Sequence, residues 1–511
     1  MAGEKKYLSS AIPIALVCSA ILYRIVMVFF NRLDTDEMLH LNMAWADAGG
    51  HKVYCQEMWG FPPLYWRMLE LVVLFVGESS RTIIAGRLLS VLLSVLTMWR
   101  LAVLERRFFG RPASWLMPLL YTFPIYGARA GGEVRPDTLL ILLFVLAIEY
   151  VIELELASAP RKFLAAGTVM GLATICKQTA FVMGGFLALF FIWNTWRGWG
   201  LNLRTVKQAF IALLFTISPV ALIWAFSAYV LTNCPTYFMW ETLLAMPAAY
   251  GIGDYTFYQL WEGLRLDPAL VVVVVASLAA IAVYIIRTRE VPAGFKLALV
   301  FSAAVFYLGM KGRPFGEHYF LLIALSAAFL GGAAVAAVER WRPGMSSMAA
   351  FLLAGLLAVN AVSFEPRIAV RGPPEEHFDR RLATIDFVLK YTPPGTPVLG
   401  SSPMWGFRPS GLFYTSSVAE VLLFDHYYPW RITTEQIEGF INEFISQPAV
   451  FVFLDWQMID MIKKQPRIRA YVEAEYDTVS YEPGLALLGI SRTRGLHVPR
   501  SELKPVKLIF E

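Results

Sequence analysis

Long apolar runs alternate with short charged links along this chain, and that rhythm predicts a bundle of membrane-crossing helices. The first run, Ala11 to Phe30, has 20 residues, about 30 Å of helix at ~1.5 Å per residue and enough to cross a bilayer. Further runs fall at 83–104, 112–128, 136–154, 162–176, 179–194, 208–231, 268–286, 296–310, 318–338 and 346–363. Together they predict eleven crossings. Pro63 to Val76 is also apolar, but its 14 residues include Arg67 and Glu70 and make only ~21 Å of helix. It is expected to lie in or near the outer interface.

Charge decides the count. Lys5 and Lys6 precede the first run, which keeps the N-terminus cytoplasmic, and the run reads as a retained anchor without a small-residue cleavage site. With eleven crossings the links holding Arg106, Arg107 and Arg111, then Arg161 and Lys162, then Arg197, Arg204 and Lys207 all lie inside. The links with Arg287, Arg289 and Lys296 and with Arg340 and Arg342 do as well. A crossing at 63–76 would turn every one of them outward, against the positive-inside rule. Odd parity then puts the C-terminal region on the outer face with the first outer loop, 31–82.

From about residue 364 the chain turns mixed and polar. Glu375 to Tyr391 suggests a helix, Pro397 to Gly400 a short strand, Ala449 to Leu454 a buried strand, and 476–492 a hairpin around Pro483-Gly484. The expected organisation is a transmembrane catalytic region, 1–363, and a small extracytoplasmic α/β domain, 364–511. Composition agrees: 57% hydrophobic residues, 16% charged and a mean hydropathy of +0.55 exclude an ordinary soluble domain. A net charge of +5 is what basic inner links produce and implies no nucleic acid. Four cysteines are too few for a disulfide framework; Cys18 and Cys176 sit in apolar runs, and Cys55 and Cys234 both fall on outer loops, where pairing is open.

The chemistry lies at the outer ends of the helices. Asp34, Asp36 and Glu37 follow the first run, and Arg129, Glu133, Arg135 and Asp137 lie between the third and fourth. Lys177 separates the fifth and sixth, and Lys311, Arg313, Glu317 and His318 separate the ninth and tenth. Acids and cations thus meet at one level of the bilayer. Cations there suit a lipid phosphate, with Arg as a bidentate fork and Lys as a point charge. A nearby carboxylate can act as general base on a hydroxyl, while fixed cations stabilise a departing phosphate.

In their order and common sidedness these motifs resemble the GT-C membrane glycosyltransferases. The group containing protein O-mannosyltransferases and lipid A aminoarabinose transferases is the most similar. The resemblance rests on Asp36-Glu37 with Pro62-Pro63-Leu64-Tyr65, on Arg135-Pro136-Asp137 opening a helix, and on Gly171-Leu172 through Thr174 to Lys177. It implies inverting transfer of a sugar from a polyprenyl-phosphate donor to an extracytoplasmic hydroxyl on a lipid, glycan or protein. The chain has no Asn-x-Ser/Thr sequon, which disfavours an ER origin, so the expected place is a bacterial inner membrane with the site facing the periplasm. Asp36 matches the presumed base, with Glu37 its neighbour and Asp137 the second acid. Arg135 and Lys177 match donor-phosphate positions, which Lys311, Arg313 and His318 would complete by place. Relatives often carry Lys or His where this chain has Phe61, so no obligatory metal and no other cofactor is expected.

Plainer readings stand beside these. Asp36-Glu37 suits a helix cap, Arg135-Pro136-Asp137 an ordinary helix start, and Lys177 a snorkelling lysine. Lys311 and Arg313 suit lipid headgroups, and His318 a structural role. The rival function is a transporter or flippase for a lipid-linked sugar. It would place charges near the bilayer midplane, whereas Arg24, Arg87, Arg100, Glu149 and Glu153 all lie near run ends. A scaffold with an outer binding domain would leave the meeting of acids and bases unexplained.

Overall fold

In the computed structural model of the chain, residues 2–50, 61–109, 115–155, 157–195, 203–232, 234–239, 267–311, 320–369, 378–399, 434–446, 456–481, 486–493 and 503–506 are described, with 242, 261, 264, 265, 407, 449 and 451–454 between them. Helices dominate. The first half holds α1 (Ala2–Phe30), α2 (Thr35–Ala48), α3 (Leu64–Val76), α4 (Ser80–Phe108), α5 (Leu116–Thr122), α6 (Ile125–Ala130), α7 (Pro136–Val151) and α8 (Pro160–Thr174). Then come α9 (Thr179–Thr195), α10 (Leu203–Phe226, continued as a π-helix to Leu231), α11 (Pro235–Met239), α12 (Pro268–Thr288), α13 (Ala293–Lys311), α14 (Phe320–Trp341) and α15 (Ser346–Ala369).

Ten of the eleven expected runs fall on single helices, and 63–76 forms the short α3. The run 112–128 is the exception. It breaks into α5 and α6 at Phe123-Pro124, where Pro124 has no N–H to donate and takes an extended ψ of 129°. Among the described residues, Ser80–Phe108, Leu203–Leu231, Pro268–Thr288 and Phe320–Trp341 are long and apolar enough to cross a membrane, while the apolar parts of α1, α9, α13 and α15 are shorter.

Small residues decide how closely these helices pack. Helix α14 is buried almost throughout from Phe320 to Ala337. Its Gly331 lets Leu120 approach so near that an added Cβ would lie 2.2 Å from Leu120 Cδ1. Gly167 and Gly171, one turn apart on α8, do the same for α10, as small-xxx-small spacing does in membranes. A Cβ on Gly167 would meet the Thr216 carbonyl oxygen at 2.3 Å. That contact is with backbone, which cannot rotate away. Gly167→Ala should therefore cost about 1–3 kcal/mol, read as a lower unfolding temperature in detergent; an unchanged midpoint would refute the tight crossing.

The last third forms a five-stranded sheet in the order β1-β2-β4-β3-β5. Its elements are α16 (Phe378–Tyr391), β1 (Val398–Leu399), α17 (Thr434–Ser446), β2 (Phe451–Phe453), α18 (Trp456–Lys464), α19 (Pro466–Glu475), β3 (Tyr476–Tyr481), β4 (Ala486–Ser491) and β5 (Leu503–Pro505). Strand β1 runs parallel to β2, and the expected hairpin appears as β3 paired with β4 from Tyr476↔Ser491 to Tyr481↔Ala486. Phe387 on α16 covers the sheet, its ring 4.2 Å from that of Tyr481. The same helix ties this region to the helical part. Arg381 donates to the Leu33 carbonyl at 2.5 Å, and Phe378 lies 4.3 Å from the Arg87 guanidinium. The Phe407 N–H donates to Asn42 Oδ1 at 2.9 Å.

Candidate active site

The turn between α1 and α2 is built by a capping box. Asp34, not Asp36, is the N-cap: its side chain accepts from the Asp36 N–H at 2.8 Å, and Glu37 Oε1 accepts from the Asp34 N–H at 3.0 Å. Asp36 is thereby released from capping. It sits in the first turn of α2 with 43% of its side chain exposed.

Glu37 points the other way, into the fold. Arg87 grips it with two bonds, Nε to Oε2 at 2.8 Å and Nη2 to Oε1 at 2.6 Å, and the Val134 N–H reaches Oε2 at 3.0 Å. Neither side chain of the pair is exposed at all. Arg87 also donates to the carbonyls of Val28, Asn31 and Arg32, satisfying orphan acceptors around the end of α1. Glu37 is thus the joint between α1, α4 and the loop before α7.

Opposite Asp36, the Arg135 backbone starts α7, with Pro136 at its first position and Asp137 in its first turn. The Arg135 guanidinium collects three carboxylates: Asp36 on Nη1 at 2.7 Å, Asp34 on Nη2 at 2.8 Å and Glu133 on Nε at 2.9 Å. Glu133 also faces Arg129 at 3.3 Å. Beside this network Lys177, in the link between α8 and α9, pairs with Asp137 at 2.7 Å, both buried. His40 follows Asp36 by one turn of α2, buried edge-on against Phe61 and Tyr65.

These charges set one another. Burial would raise the Asp34 carboxyl, but Arg135 and the Asp36 N–H outweigh it and hold it down at about 2. Burial pushes Asp36 up against the pull of Arg135, with Asp34 adding to the rise, which makes it the more basic acid of the two. Burial likewise carries Glu133 to about 7. Burial, with Arg135 and Lys177 near, lowers His40 to about 3, so it stays a neutral imidazole.

Asp36, Arg135, Asp137 and Lys177 come together at the helix ends; Glu37 comes with them but inside the fold. Lys311 closes α13 with its side chain outside the described residues, and Arg313 and His318 lie outside them altogether. The polar and aromatic run Asp425 to Tyr428, expected as turn or surface, and most of the outer loop 232–266, expected as a border for an acceptor groove, also lie outside them. Asp34 and Arg87 were not among the expected site residues. The Asp34-x-x-Glu37 spacing was the available signal for the first; nothing in the sequence linked Arg87 to Glu37.

A second acid cluster closes the far end of α2, where Arg67 pairs with Asp47 and Glu70. Burial pushes Asp47 up, Arg67 opposes and Glu70 adds, to about 7. A carboxyl with a higher pKa folded than unfolded binds more protons in the folded state. Its contribution is full below about pH 4 and is lost as pH rises through about 7. The wild type should therefore lose more thermal stability than Asp47→Asn between about pH 5 and about pH 8; parallel melting profiles would contradict this.

Known proteins share this arrangement of the chain. The family described as "Dolichyl-phosphate-mannose-protein mannosyltransferase" matches residues 61–253, a stretch with Arg135, Asp137 and Lys177 but not Asp36. No curated protein sequence matches. Among solved structures, ArnT from Cupriavidus metallidurans bound to undecaprenyl phosphate is similar at 14% identity, over 94% of this chain and 98% of ArnT, with a TM-score of 0.60. The archaeal oligosaccharyltransferase AglB from Archaeoglobus fulgidus, in complex with an inhibitory peptide and a dolichol-phosphate, is similar at 12% identity over 97% of this chain and 75% of AglB, TM-score 0.53. In fold along nearly its whole length, and by family match over residues 61–253, the chain resembles the GT-C membrane glycosyltransferases.

Proposed function

We propose that the protein transfers a sugar from a polyprenyl-phosphate donor to an acceptor hydroxyl, with inversion, at the site formed by Asp36, Arg135 and Lys177. One observation carries the reading: a half-exposed carboxylate shares an arginine with two other acids beside a buried lysine, all at the ends of helices. The similar structures holding undecaprenyl phosphate and dolichol-phosphate support the donor class.

In the step this implies, the acceptor hydroxyl loses its proton to Asp36 as its oxygen attacks the anomeric carbon. The bond from that carbon to the phosphate oxygen breaks, and its electron pair leaves with the polyprenyl phosphate. Arg135 and Lys177 stabilise the charge that appears there. Attack from the face opposite the leaving phosphate inverts the anomeric centre. Asp137 holds Lys177, and Glu37 positions the loop rather than moving protons. Among the described residues no group of three acids, histidines or cysteines is placed to hold a metal ion.

The remaining features of the proposal follow from charge and from sulfur. Eleven crossings with basic inner links support one outer face for the site, residues 364–511 and Cys234, and the membrane of this reading is a bacterial inner membrane. Cys234 is disulfide-bonded, while Cys18 and Cys176 are free. A disulfide suits the oxidising periplasm. The flippase reading does not explain why Asp34, Asp36 and Glu133 converge on one arginine.

Purified protein offered mannosyl, aminoarabinosyl and galacturonosyl polyprenyl phosphates with mixed lipid, glycan and peptide acceptors should release polyprenyl phosphate with one donor. Donor binding without release of polyprenyl phosphate from any donor would favour the flippase, and absent binding of every donor would overturn both readings. Lys177→Met should lower kcat about 10²-fold or more, as removing a stabiliser of developing charge does, with Asp137→Asn smaller; equal kcat in Lys177→Met and wild type would remove Lys177 from the step.

A further inference from the structure

Asp34 and Asp36 hold one guanidinium by unlike means. Asp34 is fixed twice over, as the helix cap bonded to the Asp36 N–H and as half of the box closed by Glu37. It is also the more covered of the two, with 21% of its side chain exposed against 43% for Asp36. Asp36 has no such tether; beyond Arg135 it opens outward.

Resting on the donor-phosphate role proposed for Arg135, we infer that Asp34 is the permanent anchor of this arginine and Asp36 an exchangeable one, displaced by the phosphate of the incoming donor. A phosphate competes well for a guanidinium because it offers two oxygens to the fork. Arg135 is itself largely covered, so the half-exposed Asp36 marks the side from which a phosphate can reach it. Asp34 and Glu133, bonded to Nη2 and Nε, keep the fork aimed during the exchange. The exchange also changes Asp36. Arg135 is the strongest influence lowering its pKa, so losing that partner makes the carboxylate a better base as the donor seats. Asp36 thus becomes a still stronger base when a donor is present to react.

The test is the affinity of the full-length protein for undecaprenyl phosphate, with donor turnover measured in parallel. Asp36→Asn should bind the lipid about fivefold tighter, since a partly exposed competing charge is gone. Asp34→Asn keeps the cap, because Asn caps as well as Asp. It should not tighten binding, yet should lower kcat because the fork is no longer aimed. Asp34→Ser, which also caps, repeats the measurement if the Asn variant folds poorly. Arg135→Gln should bind at least about tenfold weaker.

Equal tightening by Asp34→Asn and Asp36→Asn would mean simple charge removal and would overturn the division of roles. Unchanged affinity in Asp36→Asn, with Arg135→Gln weakened, would overturn the exchange and leave the donor-phosphate site standing. Wild-type affinity in Arg135→Gln would instead sink the site assignment.

Discussion

Asp36→Asn should abolish sugar transfer, lowering turnover about 10²- to 10⁴-fold, the usual contribution of a positioned general base. The substitution is nearly isosteric, and the amide oxygen can still accept from Arg135. What it loses is the ability to take a proton. Because Asp34 caps α2, the variant leaves the helix start intact, so a loss of activity cannot be blamed on a lost cap. Donor binding should persist. The decisive comparison is single-turnover transfer by variant and wild type at saturating donor; matching rates would remove Asp36 from the chemistry.

The second large effect is on the fold. Arg87→Met should destabilise the protein by about 3–5 kcal/mol, because it strands the Glu37 carboxylate in a site with no exposure. Three carbonyls, those of Val28, Asn31 and Arg32, lose their donor as well. The partly exposed pair Arg100 with Glu149 supplies an internal control, and Arg100→Met should cost about 1 kcal/mol or less. Pairing Arg87→Met with Glu37→Leu should recover part of the loss, since removing both charges of a buried pair is far milder than removing one. Thermal unfolding in detergent reads all three; equal melting of Arg87→Met and Arg100→Met would show that Glu37 is not buried as described.

Much of this was legible in the sequence because hydropathy and capping are local. The helix opened by Pro136, the helix ending at Tyr391 and the hairpin from 476 needed only neighbouring residues, and each appears within a few positions of expectation. The break at Pro124 was hidden because an apolar run averages over the one residue that lacks an N–H. Glu37 was harder. Adjacent to Asp36 and identical in charge, it differs only in facing inward, and its partner Arg87 is on another helix. No local pattern distinguishes a carboxylate that meets substrate from one that locks a loop. Asp34 was visible as a charge, but its hold on Arg135 depends on how α2 and α7 approach each other.

The contact of Phe378 and Arg381 with the first loop has a consequence for how the molecule is made. These residues leave the ribosome about 290 residues after Arg87, roughly 15–60 s later at about 5–20 residues per second. Until then the Leu33 carbonyl and the face of Arg87 have no cover from α16. A nascent chain therefore carries an uncovered turn between α1 and α2 until residues 378–381 have been made. A chain that stopped before Phe378 would leave the Leu33 carbonyl and the face of Arg87 permanently without this cover.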